Sequence, residues 1–80
     1  MDKLEAERVA GAIRKMNMEW IQVSAVEYNP LLDIYEVKCA YKRERGNISR
    51  PTDTWTTIFI KSPRQWIDLL TGHRDDFELP

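Results

Sequence analysis

Residues 19–43, EWIQVSAVEYNPLLDIYEVKCAYKR, decide the fold. Before them, apolar side chains recur every three or four residues; within them the period drops to two. From Glu19 to Tyr28 the alternation sets Ile21, Val23 and Ala25 on one face, with Trp20, Gln22, Ser24, Val26 and Tyr28 on the other. Asn29-Pro30 breaks the pattern, because proline fixes φ and lacks an N–H. A second strand is expected from Leu32 to Arg43, with Tyr35, Val37, Cys39 and Tyr41 opposite Ile34, Glu36, Lys38 and Lys42. So short a break between two alternating runs predicts an antiparallel hairpin.

Outward from the hairpin, residues 2–17 predict a helix. Ala6, Val9, Ala10, Ala12, Ile13 and Met16 fall on one arc at 100° per residue. Asp2, Glu5 and Glu7 open it and Arg14 and Lys15 close it, as the helix dipole prefers. On the other side, Glu44 to Thr52 reads as a loop, with Gly46-Asn47 as its turn and Pro51 blocking ladder pairing. Thr54 to Lys61 predicts a third strand, Trp55 and Phe59 facing away from Ile58 and Ile60. Ser62-Pro63-Arg64-Gln65 then supplies a helix start: a hydroxyl at N-cap, proline at N1 and an amide at N3. Trp66, Ile67, Leu69 and Leu70 follow as an apolar stripe, and Gly72 is placed to end the helix in a left-handed C′ position.

The order is α-β-β-β-α. An α+β fold follows: a three-stranded antiparallel meander with two helices packed on one face. Residues 1–72 form a single compact domain in this reading. Residues 73–80 are an acidic C-terminal tail whose simplest behaviour is fraying. At 80 residues, with 42% hydrophobic and 31% charged side chains, the chain is an ordinary globular domain and not a disordered one. It is small enough to bury only about 60–65% of its unfolded surface. The first residues lack the apolar core of a secretory signal, and no apolar run approaches a bilayer span, so the expected location is cytoplasmic, without membrane contact.

Catalytic chemistry finds little support. Cys39 is the only cysteine, which excludes an internal disulfide and a cysteine metal cage; its neighbours Val37, Ala40 and Tyr41 predict a buried strand thiol. His73 is the only histidine and falls in the polar tail, so any nucleophile–base pair would rest on it alone. Asp75, Asp76 and Glu78 lack calcium-loop spacing, and the three glycines stand too far apart for a phosphate loop. A non-enzyme without cofactor or metal is expected.

Charge is unevenly spread. Residues 38–64 hold seven basic and two acidic groups, while residues 1–37 net −3 and residues 65–80 net −3, within a total of −1. Lys42, Arg43, Arg45 and Arg50 cluster at the expected hairpin tip, and Lys61 and Arg64 flank the start of the second helix. These six are the candidate contacts for an anion or a nucleic acid, with Trp55 or Tyr41 able to stack on bases where exposed. The simpler reading is a solvated hairpin whose cations guard strand ends against edge pairing. The competing class is protein interaction. Trp20 and Tyr28 are its candidates on the sheet face opposite the helices, and Phe77 and Leu79, interleaved with Asp76 and Glu78, are its candidates in the tail. Opposed charges in the middle and tail blocks make self-association as a homodimer part of this expectation. The leading reading is therefore a small non-enzymatic protein-interaction domain, with nucleic-acid binding through residues 42–50 and the second helix start as the alternative.

The α-β-β-β-α order is similar in outline to the double-stranded-RNA-binding domain. That family's second helix opens with a lysine-rich phosphate-binding motif followed by small residues. The corresponding stretch here is Lys61-Ser62-Pro63-Arg64-Gln65-Trp66, with two basic groups and a bulky Trp. The resemblance is one of element order, and RNA binding does not carry over through it.

Overall fold

The computed structural model describes residues 1–44 and 47–71, with the backbone alone at residues 44 and 47–51. Its elements run α1 (Lys3–Met16), β1 (Ile21–Asn29), β2 (Ile34–Glu44), β3 (Asn47–Ile60) and α2 (Pro63–Leu70). The strands form one antiparallel sheet in the order β1-β2-β3. Both helices pack on the same face, as a single amphipathic layer over a small sheet requires.

Helix α1 is closed at both ends by side-chain and backbone chemistry. Asp2 Oδ1 accepts the Glu5 N–H at 2.7 Å, and Asn17 ends the helix in the left-handed region (φ 49°, ψ 48°), its N–H donating to the Arg14 carbonyl. Asparagine tolerates that conformation where most residues do not. The buried stripe is Ala6, Val9, Ala10 and Ile13; Ala12 and Met16, expected on it, are exposed. The stripe is narrower because the covering face of the sheet is only three strands wide.

The β1–β2 pairing holds one departure from strict alternation. Val23 lies opposite Cys39 and Ala25 opposite Lys38, so Ser24 is an extra residue in a bulge. Beyond it, Val26 and Tyr28 oppose Val37 and Tyr35 and share the helix-side face with Ile21 and Val23, whereas Ala25 crosses to the other face. The expected assignment of these three residues is thereby corrected. A single inserted residue reverses every side chain that follows.

The turn is also one residue longer than expected, spanning residues 30–33. Asn29 Oδ1 accepts the N–H groups of Leu31 (3.0 Å) and Leu32 (3.3 Å), and Asp33 adopts φ 53° before β2 begins at Ile34. Leu32 is thus in the turn, where asparagine's own side chain organises the backbone. At the other end, β3 starts at Asn47, inside the expected loop. It pairs irregularly, Arg43 with Pro51 and Glu44 with Asn47, before regular pairing of Tyr41 with Thr56 through Val37 with Ile60. Pro51 is admitted because β3 is an edge strand, where a residue lacking an N–H is tolerated.

The start of α2 follows its sequence signal. Ser62 Oγ accepts the Gln65 N–H (3.1 Å), and Gln65 Oε1 reaches back to the Lys61 N–H (2.6 Å). Trp66 and Leu69 are buried and Leu70 is partly covered, but Ile67 is 57% exposed and leaves the expected stripe. Thr71 caps the helix, its hydroxyl donating to the carbonyls of Ile67 and Asp68. Gly72 and residues 73–80 lie outside the described residues. The core joins the helix residues Ala6, Val9, Ala10, Ile13, Trp66 and Leu69 to Ile21, Val37, Cys39, Tyr41, Ile58 and Ile60 of the sheet. Each large aliphatic or aromatic side chain so buried stabilises the fold by about 1.5–3 kcal/mol.

Candidate functional site

The sheet face turned away from the helices carries the most distinctive surface. Register places Lys38 opposite Phe59 and Ala40 opposite Thr57, so these four share that face. Lys42 and Trp55 continue it, the ammonium lying 5.4 Å from the indole centroid. Lys61 ends it, 5.9 Å from the Phe59 ring centroid and 3.8 Å from Glu36 Oε2. Trp55 is 43% exposed and Phe59 partly so. Two rings and three lysines therefore line the β2–β3 half of the open face. Towards β1 it becomes polar, with Gln22, Glu27 and Asn29 around the small Ala25. Glu36 is buried between, receiving the Asn29 amide at 3.4 and 3.5 Å and the Lys61 charge.

The basic run at the end of β2 does not act as one patch. Consecutive strand residues point to opposite sides. Lys42 stands over Trp55, while Arg43 bonds Glu19 Oε1 at 3.4 Å and lies 6.0 Å from the Trp20 ring centroid. Arg45 and the side chain of Arg50 lie outside the described residues. At the start of α2, Arg64 is exposed with its Nε 3.9 Å from Asp68 Oδ2. The Gln65 amide N–H there is already taken by the Ser62 hydroxyl. Lys61 and Arg64 thus flank a satisfied cap.

Of the candidate interaction residues, Trp20 is partly buried against the core, its ring 5.9 Å from that of Tyr41. Tyr28 is 49% exposed at the β1–β2 turn, its ring 5.2 Å from Tyr35 and its hydroxyl donating to Asp33 Oδ1 at 2.6 Å. That bond raises the Tyr28 pKa, with desolvation and the Asp33 charge adding to it. Phe77 and Leu79 lie outside the described residues. Tyr41 is buried, so the expectation that it stacks on a ligand when exposed gives way to a core role; Trp55 alone of that pair is accessible. Phe59, Lys38 and Ala40 were not singled out by sequence reasoning. The period-two pattern of Trp55, Thr57 and Phe59 was the available signal.

Two buried groups are chemically quiet. Burial pushes the Cys39 thiol up to about 12, against the opposing charge of Arg14, so its thiolate is scarce at neutral pH. The Tyr41 hydroxyl is buried without a hydrogen-bond partner among the described residues, and burial raises its pKa as Arg43 opposes. Among the described residues no three His, Cys, Asp or Glu side chains gather as a metal site, and no described helix is long and apolar enough to cross a membrane. Comparison with protein families, curated proteins and solved structures finds no match to the chain.

Proposed function

We propose that the chain is a small, non-enzymatic protein-interaction domain whose working surface is the sheet face turned away from the helices. One observation carries this reading: Trp55 is exposed and Phe59 partly exposed there, each with a lysine ammonium over its ring. Aromatic side chains are favoured at interaction surfaces because they bury large area at low entropic cost. The lysines select an acidic partner through charge complementarity. An extended segment alternating acidic and apolar side chains fits such a face, its apolar groups meeting the rings and its carboxylates the ammonium groups. The alternative use of Cys39 as a nucleophile is disfavoured by its burial and raised pKa.

A labelled peptide of residues 73–80, which contains Asp76-Phe77-Glu78-Leu79, is a suitable probe. Fluorescence anisotropy is expected to show saturable, salt-sensitive binding that Trp55→Ala and Lys42→Glu each weaken about tenfold, roughly the 1–2 kcal/mol of a modest hot spot. Absence of binding at low salt, or indifference to Trp55→Ala, would remove the reading.

The Lys42–Trp55 pair also favours a second reading, single-stranded nucleic acid on the same face. An exposed cation–π contact is worth about 0.5–1 kcal/mol and base stacking about 1–3 kcal/mol per base. A base would displace the ammonium from the ring, and the ammonium would then meet a phosphate. Oligothymidine binding that falls steeply with salt and is lost in Trp55→Ala, with no peptide binding, selects this reading over the first.

A further inference from the structure

Strand β3 is one margin of the sheet, and its outward main-chain groups face no other strand among the described residues. Natural proteins blunt such margins with charge, proline or a covering element. Between Asp53 and Lys61, β3 carries neither charge nor proline, and no other described strand covers its outer edge. The run Thr54-Trp55-Thr56-Thr57-Ile58-Phe59-Ile60 is uncharged, and every residue in it is β-branched or aromatic. Thr54 through Thr57 are exposed in succession, so neither face of the sheet shelters the strand there.

The run is also complementary to itself. Antiparallel pairing of β3 with β3 of a second copy, about a two-fold axis at Thr57, sets Asp53 opposite the second copy's Lys61. It sets Trp55 opposite the second copy's Phe59, and Thr57 opposite its own counterpart. Opposite charges, aromatic pairs and Thr–Thr pairs are the cross-strand matches that stabilise antiparallel sheets. Moving the axis to Thr56 faces Asp53 with Phe59 and Trp55 with Thr57. Moving it to Ile58 faces Phe59 with Thr57 and leaves Asp53 without lysine. Only the Thr57 axis makes both the charge match and the aromatic match.

We propose that the chain forms a two-fold dimer through the β3 edge, the two sheets merging into one continuous antiparallel sheet with Thr57 at the axis. This rests on the protein-interaction reading and names a second copy as a partner. Merging joins the two Trp55–Phe59 surfaces into one aromatic strip on the open face. The ladder is short, because the Lys61 N–H is held by Gln65 and its carbonyl accepts the Met1 amino group at 3.2 Å. Between the Tyr41–Thr56 and Arg43–Pro51 pairs the β2–β3 register is irregular, so the regular part of β3 begins at Thr56. A two-fold contact consumes both β3 edges, and the outer margins become the β1 strands, whose Ser24 bulge and Glu27 discourage further addition. The assembly closes as a dimer and does not grow into a fibre.

The test is sedimentation of the full chain with two variants at the exposed Thr57. The unaltered chain is expected to show a concentration-dependent dimer mass. Thr57→Lys sets two ammonium groups across the axis and is expected to weaken dimerisation at least tenfold with an unchanged circular dichroism spectrum. Thr57→Cys is expected to oxidise to a covalent dimer, since paired strand positions lie about 4.5–5.5 Å apart, within disulfide reach. Ile67→Cys, on exposed α2, is expected not to, and buried Cys39 stays silent in both. A chain that is monomeric at every accessible concentration overturns the proposal, as does a dimer indifferent to Thr57→Lys. A monomer that still binds the acidic peptide overturns the dimer alone; a Thr57-dependent dimer that binds no peptide upholds the dimer and removes the acidic-peptide reading alone.

Discussion

The Tyr28 hydroxyl donates to Asp33 Oδ1 at 2.6 Å, and that same Asp33 carries the positive φ of 53° on which the β1–β2 turn bends. One side chain thus closes the turn at the residue where its backbone is least comfortable. Asp33→Ala removes the bond, at a cost of about 1 kcal/mol, and keeps the Cβ that Asp33 already holds in the left-handed region. Asp33→Gly loses the bond but relieves the backbone. Urea midpoints are therefore expected to fall clearly for Asp33→Ala and by about half as much for Asp33→Gly. Equal losses would mean that the backbone is not strained.

Alkaline titration follows from Cys39. The folded thiol holds its proton more tightly than the unfolded one, with a pKa raised by burial from 9.0 to about 12. The stability this contributes is fully present below pH 9 and is lost as pH rises through about 12. Tyr41 and Tyr28 shift in the same direction and steepen the decline above their ordinary value of 10.0. Urea midpoints are expected to be insensitive to these groups between pH 7 and pH 9, then to drop, with a shallower drop in Cys39→Ala. In the native chain at pH 8 a thiol reagent is expected to react no faster than the protein unfolds; a rapid native reaction would contradict the burial.

Tyr41 offers the opposite sign of mutational effect. Its ring packs in the core, but its hydroxyl is buried without a partner among the described residues. Leaving such a group unbonded costs about 1–3 kcal/mol. Tyr41→Phe keeps the ring and is expected to stabilise the fold by up to about 1 kcal/mol, read as a higher urea midpoint. A loss of more than 1 kcal/mol would show that the hydroxyl is satisfied by an ordered water.

The element order was legible because each boundary has local chemistry. Asn29-Pro30 and the Ser62-to-Gln65 cap act within a few residues of themselves, so tertiary structure had nothing to override. Positions that depend on a distant neighbour were less legible. The Ser24 bulge exists only in relation to Cys39 and Lys38 on the partner strand, and without it Val26 and Tyr28 fall on the wrong face. Pro51 argued against pairing until β3 was known to lie at the margin of the sheet. The candidate site was half visible. Lys42, Lys61 and Trp55 stood out by type, but their gathering on one face with Lys38 depends on the register of Lys38 with Phe59. Tyr41 and Trp20 were indistinguishable by type from the rings that remain open, because only packing separates them.

Lys42 and Arg43 are adjacent in the chain, yet the sheet itself stands between their side chains. A block substitution across this basic run would combine two separate perturbations, one at an aromatic surface and one at the Glu19–Trp20 corner. Its result would be an average over places that never meet. Every second residue is the natural unit of mutagenesis here. Lys38, Lys42, Trp55 and Phe59 form one set and Tyr41 and Arg43 another, so the strand carries two interleaved messages in a single line of text.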